Sequence, residues 1–182
     1  MPVAVSVRLD SREVEMALRK LGSSGAAVAM SQALNRTVTG VRTDATRAIA
    51  EKAKVKKQAT VRNRFTIEKA ARLKLAAALV IPPTSLPLSA VRGVRATARR
   101  VTWRGRHQKR MFRIKGAVGK LRNDIFVRVP GKRSPLRAYA FTLLQEYEHH
   151  RIADDLERKA TVRLQKEWRR ALENQLRRRG LA

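Results

Sequence analysis

"GAAVAMSQALNRTVTGVRTDATRAIAEK", residues 25–52, repeats apolar side chains every three or four positions: Ala27, Met30, Leu34, Val38, Val41, Ala45 and Ile49. That spacing is the 3.6-residue period of an amphipathic helix. It predicts one helix from about Gly25 to Lys52, roughly 40 Å long at about 1.5 Å per residue. Gly40 interrupts the stripe without ending it.

The flanking sequence supplies further elements. Val3, Val5, Val7 and Leu9 alternate with Ala4, Ser6 and Arg8, the period-two pattern of a half-buried strand. Asp10, with Glu13 three residues on, has capping-box spacing. Val14, Leu18 and Leu21 then give a short helix an apolar stripe that Gly22 stops, and Ser23 or Ser24 is placed to cap the long helix. A short helical piece is expected around Val55–Asn63.

After the long helix the period changes. Leu73, Leu75, Ala77, Leu79 and Ile81 alternate with Arg72 and Lys74, which predicts a strand over 71–81. "PPTSLPLSAVRG", residues 82–93, carries three prolines in twelve positions and is expected to be an extended loop without regular structure. Short strands are expected around Thr102, around Phe112 and Ile114, and over Ile125, Val127 and Val129. "VPGKRSP", residues 129–135, reads as a loop, and 137–148 as a short helix. The final helix, 154–179, carries Leu156, Ala160, Leu164, Trp168, Leu172 and Leu176. Asp154 and Asp155 suit its N-terminus, Arg177–Arg179 its C-terminus, and Gly180 is a stop. The fold class is therefore α+β: an antiparallel sheet packed on a long helix in the N-terminal half, with an extended arm and a C-terminal helix. The 182 residues suggest a single domain.

Charge is the strongest compositional signal. The chain has 42 Lys or Arg against 14 Asp or Glu, a formal net charge of +28. From Lys52 to Arg137 there are 25 Lys or Arg and two acids, Glu68 and Asp124. A field that large repels itself and calls for a polyanion or an acidic partner surface. Its densest part, "RGRHQKRMFRIKGAVGKLR" (104–122), has eight Lys or Arg and no acid. With Phe112 and Ile114 as anchors and glycines as turns, it reads as a hairpin arm over 99–122 whose tip is Arg104–Lys109. Arg104, Arg106, Lys109, Arg110, Arg113, Lys115, Lys120 and Arg122 are its candidate contacts to DNA or a partner. Arg113 and Lys115 are expected on the opposite sheet face from Phe112 and Ile114. Trp103 and Phe112 have two readings, bases stacking on them or a place in the core, and the alternating pattern favours the core.

Enzyme chemistry finds no footing. The sequence has no GxxxxGK[ST] or GxGxxG loop and no GxSxG elbow. His149 and His150 lie near Glu146, Glu148, Asp154 and Asp155, but adjacent histidines on a helix point about 100° apart and rarely share an ion. No residue is assigned a catalytic or metal-ligating role, and no cofactor is expected. The absence of cysteine excludes disulfides and thiolate zinc sites. "MPVAVSVRLD" does not have the pattern of a secretory signal, and the longest apolar run, Leu75 to Ile81, falls far below the roughly 20 residues that span a bilayer. A soluble protein made in a cytoplasm, without membrane contact, is the expectation.

The order of elements resembles the minor tail protein Z family of long-tailed bacteriophages, also called tail completion proteins. The residues that carry the resemblance are "ALNRT" (33–37) within 30–57, the strand near "ARLKLAAALV" (71–80), "RMFRIKGAVGK" (110–120), and "FVR" and "GKRSPLR" (126–137). The chain departs at Ala138, Tyr139 and Ala140, where the family tends to have a "GPS"-like tripeptide. The resemblance implies a structural virion protein of the tail or neck that acts in tail completion and head–tail joining at the head-proximal end. It implies a ring, commonly a hexamer, around the DNA channel. Implied partners are tail-terminator, tail-tube or head-completion proteins, with packaged DNA or the tape-measure protein in the lumen. Pro82, Pro83, Leu86, Pro87 and Leu88 of the proline-rich loop, and Leu164, Trp168 and Leu172 of the last helix, become candidates for subunit contacts. The alternative is a sequence-independent nucleic-acid-binding protein of nucleoid or ribosomal type.

Overall fold

A computed structural model of the chain describes residues 11–97, 100–103, 106–108, 110–113, 124–128, 130–131, 136–149 and 151–181. The strand expected over residues 3–9, the Asp10 cap, and the parts of the basic arm at 98–99, 104–105, 109 and 114–123 lie outside these residues, as does the 132–135 part of the loop.

The long helix α1 (Ser11–Lys52) and a C-terminal helix α4 (Ile152–Arg178) form the frame. Between them in sequence come α2 (Gln58–Arg62), β1 (Thr66–Glu68), β2 (Ala78–Val80), β3 (Ser85–Pro87), a 3₁₀ turn (Leu88–Ala90), β4 (Arg95–Ala96), β5 (Val101–Trp103), β6 (Arg106–Gln108), β7 (Met111–Phe112), β8 (Phe126–Val127), β9 (Leu136–Arg137), β10 (Tyr139–Thr142) and α3 (Leu143–His149). The class is α+β, as expected. Among the described residues the strands make four small antiparallel sheets instead of one: β1–β2, β3–β10, β4–β5–β6 and β7–β8–β9.

α1 and α4 run antiparallel and share the largest interface between elements. Leu21 meets Arg179, Arg36 meets Glu167, and Asp44 meets Arg163, so early residues of one helix face late residues of the other. The inner stripe of α1 is Ala26, Ala29, Ala33, Val38, Val41, Ala45 and Ile49, all buried. In the first half this lies one position away from the expected Ala27, Met30 and Leu34, which are half-buried flanks. The reason is steric. Leu164 and Trp168 press on this segment, and only alanines leave room for a fully buried indole between two helix backbones. Close approach also explains Gly40, where a Cβ would run into the Arg163 side chain. Arg163 in turn pairs with Asp44 at 2.9 Å.

Gly22 breaks α1 with φ 66°, ψ 172°, which matches the stop read from the sequence. The Arg179 guanidinium donates to the freed Leu21 carbonyl at 2.6 Å, so the end of α4 caps the break. The "ALNRT" residues are all engaged in or beside the frame. Ala33 is in the helix contact, and Arg36 reaches Glu167 at 3.5 Å. Asn35 takes both backbone groups of buried Ala70: its Nδ2 donates to the carbonyl at 3.0 Å and its Oδ1 accepts from the N–H at 2.8 Å.

That clamp helps to explain why the strand expected over 71–81 is reduced to Ala78–Val80. Ala71 and Lys74 exchange two backbone hydrogen bonds, of 2.9 and 3.1 Å, closing a tight turn. Leu73 at its tip is fully exposed and Leu75 is about half exposed, so the alternation is used only at Leu79 and Ile81. The partner strand β1 was not legible, because its three residues are mostly exposed. The proline-rich segment departs the other way. Leu86 and Leu88 are fully buried, β3 pairs with β10 across a bulge, and the 3₁₀ turn follows. Prolines are tolerated there because β3 lies at the edge of a two-stranded sheet. Before α3, the Thr142 hydroxyl accepts from the Gln145 N–H at 3.2 Å and Gln145 Oε1 accepts from the Thr142 N–H at 3.1 Å, a reciprocal capping box.

Two stability predictions follow from these contacts. Asn35→Ala leaves the Ala70 N–H and carbonyl without this partner in a buried place and should lower unfolding free energy by about 1–3 kcal/mol in urea titration. Tyr147 is buried, and burial, reinforced by Glu157 and Asp154, pushes its phenol above its ordinary value near 10. The folded state therefore holds this proton more tightly than the unfolded chain. Its contribution is intact below pH about 10 and is lost as pH rises towards the folded value. Tyr147→Phe should flatten that alkaline fall in the melting temperature.

Candidate functional site

α1 does not end on glycine. The Lys54 N–H donates to the Glu51 carbonyl at 3.1 Å and the Val55 N–H to the Ala50 carbonyl at 2.8 Å, the paired bonds of a Schellman motif. The left-handed residue of that motif is Lys54, at φ 53°. α4 ends in the same motif with Gly180 in the equivalent place, at φ 66°, the Gly180 N–H donating to Arg177 and the Leu181 N–H to Leu176. An L-residue in this conformation costs about 1–2 kcal/mol. One helix thus meets the motif's demand with glycine, while the other places a lysine there.

The chain leaving Lys54 is fixed to the 89–92 segment. Val55 and Val91 form an antiparallel bridge and are both buried. The Lys56 N–H donates to Ala90 at 2.9 Å, the Arg92 N–H donates to Lys54 at 2.7 Å, and Lys56 Nζ donates to the Ser89 carbonyl at 2.6 Å. Behind this, the Ser89 hydroxyl donates to Asp124 Oδ1 at 3.4 Å, and Asp124 is buried.

Two clefts open on this elbow, and Lys56 lines both. One, of about 410 Å³, has Lys56, Lys57, Thr60, Ser89 and Arg113 among its walls, with Val94, Ala96 and Ile125 as apolar surface. The other, of about 270 Å³, is bounded by Arg47, Glu51, Lys54, Lys56, Gln58 and Arg92. Among the described residues the linings thus bring six cations and one acid, Glu51. Such an array can attract and hold negative charge. Apart from Glu51, its polar lining side chains are cations, the Gln58 amide and the Thr60 and Ser89 hydroxyls, which suits electrostatic recognition more than proton transfer.

Of the arm residues singled out from the sequence, Arg113 enters this site. It is exposed, and its N–H donates to the Thr97 carbonyl at 3.2 Å. Arg110 is exposed and left-handed, at φ 61°, and its carbonyl accepts from the Arg128 N–H at 2.9 Å. Arg106 lies in β6 opposite Trp103. Arg104, Lys109, Lys115, Lys120 and Arg122 lie outside the described residues. The arm is not a single hairpin. β5 and β6 form a tight one, in register Val101↔Gln108 to Trp103↔Arg106, whereas β7 pairs with β8 in a different sheet. The stem is shorter than expected because Met111 and Phe112 are taken by Val127 and Phe126. Phe112 packs 6.4 Å from the Phe126 ring, with the Arg128 guanidinium 5.6 Å above it, and Trp103 packs against the small core of Leu88, Val101, Ile125 and Ala138.

The expected subunit contacts need correction. Leu86, Leu88, Leu164 and Trp168 are buried inside the chain itself and leave nothing to offer a neighbour. Pro83 is exposed, and Pro82, Pro87 and Leu172 are half-buried. Among the described residues no three His, Asp or Glu side chains gather as metal ligands would, and no helix is long and apolar enough to cross a membrane.

Arg47, Lys54, Lys56, Lys57 and Arg92 were missed from the sequence. The available signal was "EKAKVKK" (51–57), a helix that stops among cations with neither glycine nor proline. Lys54→Gly should relieve the left-handed strain. Allowing for glycine's greater unfolded-state freedom, urea denaturation should show a gain of roughly 1 kcal/mol at unchanged m-value. In comparisons with known proteins, the chain matches no family model, no curated protein and no solved structure.

Proposed function

We propose that the protein is a structural component of a phage tail, acting in tail completion and head–tail joining as a ring around the DNA channel, with its basic elbow turned towards polyanion. The observation that carries this reading is the elbow itself. Among the described residues six cations and one acid line two adjoining clefts on a backbone pinned by three hydrogen bonds between 54–56 and 89–92. A surface that guides DNA without reading its bases needs such fixed, unneutralised charge. The resemblance in "ALNRT" and "GKRSPLR" supplies the tail assignment, and the engagement of Ala33, Asn35 and Arg36 supports a scaffolding role for the first of these stretches. The alanine-rich frame suits a protomer that gains stability from its neighbours.

Quantitative mass spectrometry on purified particles, with heads and tails separated, tests the assignment. The expected result is a few copies per tail, about six for a closed cyclic ring. Absence from particles, with recovery on cellular nucleic acid, would overturn it in favour of a nucleoid- or ribosomal-type binder.

A further inference from the structure

We infer that the elbow after α1 is a binding site for the phosphate backbone of duplex DNA, with Lys54, Lys57, Arg92 and Arg113 as its phosphate-contacting cations. This rests on the polyanion-facing reading above and deepens it by naming the residues and the ligand. It also moves the contact from the hairpin tip to the end of the long helix.

Three observations lead there. First, the cations are exposed but their backbone is not free to move. Lys54 and Arg92 are joined by the 2.7 Å hydrogen bond, and the Lys56 ammonium is tied to the Ser89 carbonyl. An array held this way presents its cations from a fixed backbone, so that on binding only their side chains have to be ordered. Second, Lys54 occupies a left-handed position that the same chain fills with glycine at the end of α4. Strained residues persist where function needs the side chain, and this one lines the cleft. Third, the surroundings suit phosphate better than an acidic protein surface. Thr60, Ser89 and Gln58 add polar lining groups. Among the described residues the apolar lining of the first cleft is Ala90, Val94, Ala96 and the buried Ile125, without an exposed aromatic or large aliphatic anchor of the kind on which protein interfaces depend.

The test measures binding of the full chain to a short labelled duplex of arbitrary sequence by fluorescence anisotropy, over a series of salt concentrations. Each phosphate contact contributes about 0.9 to the slope of log K against log salt. The variant Lys54→Gly/Lys57→Ala/Arg92→Ala should lower that slope by about 2–3. A control that removes three cations elsewhere, Lys74→Ala/Lys159→Ala/Lys166→Ala, should change it by less than about 1. Thermal melts of both variants verify folding.

Lys54→Gly alone gives a sharper readout. It should raise the melting temperature yet lower the slope by about 1. A lysine with only a structural part would give the first change without the second, and that result removes Lys54 from the site. Equal slope losses in the elbow and control triples mean that diffuse charge does the binding, which overturns the site. An unchanged slope in the elbow triple overturns it too and points to an acidic protein as partner. Particle mass spectrometry reports separately on the tail assignment. A protein present in tails whose elbow triple keeps the wild-type slope defeats only this inference. A protein absent from particles whose elbow triple loses slope defeats only the tail reading.

Discussion

The structure depends on how closely α1 and α4 can approach. Small side chains on α1, Ala26, Ala29, Ala33 and Ala45, meet Leu164, Trp168 and Ala171 on α4 and the aliphatic cluster around Leu156 and Ala160. Trp168 is fully buried, and it packs in one cluster with Leu164 and the alanines Ala26, Ala29, Ala33 and Ala171. The ion pairs along the seam are partly exposed and contribute little beyond register. Packing therefore holds the frame, and the charges along its edges select which turn of one helix meets which turn of the other.

The remaining elements attach to this frame by local devices. Asn35 holds the 70 segment, Arg179 caps the Gly22 break, and the Val55–Val91 bridge ties the end of α1 to the 3₁₀ turn. The four sheets are too small to stand alone, since two- and three-stranded ribbons need a packed face. Each receives one from the helices or from the cluster of Leu88, Val101, Ile125 and Ala138. This arrangement tolerates a high surface charge. Among the described residues the cations are carried on turns, strand ends and outer helix faces, while most buried positions are apolar and the buried polar ones include no Lys or Arg.

Function follows from the same division. The frame spends its apolar surface internally, including Leu86, Leu88 and Trp168. What it exposes at the end of α1 is charge fixed by backbone geometry. Using lysine instead of glycine at a left-handed position exchanges stability for a placed ammonium. The contrast between Lys54 and Gly180 shows that glycine could serve there conformationally.

The sequence by itself determined the two long helices, whereas the helix expected over 137–148 starts only at Leu143, after Tyr139–Thr142 is taken as a strand by Ser85–Pro87. The period from Gly25 to Lys52, the break at Gly22, the stop at Gly180 and the apolar positions of α4 are local properties, written in side-chain spacing and glycine placement. It also determined the α+β class and the concentration of charge in the middle of the chain. The tertiary structure decided the rest. Whether Leu73 or Leu88 is buried depends on what covers each, and the Asn35 clamp acts across 35 positions of sequence. The inner edge of α1 shifted to Ala26 and Ala29 because of a tryptophan more than a hundred residues away. The basic arm is divided because Phe112 pairs with Phe126 in another sheet instead of extending the β5–β6 hairpin. The candidate site was least legible for the same reason. Lys54, Arg92 and Arg113 are scattered along the chain and become one surface only when long-range backbone pairing brings their segments together.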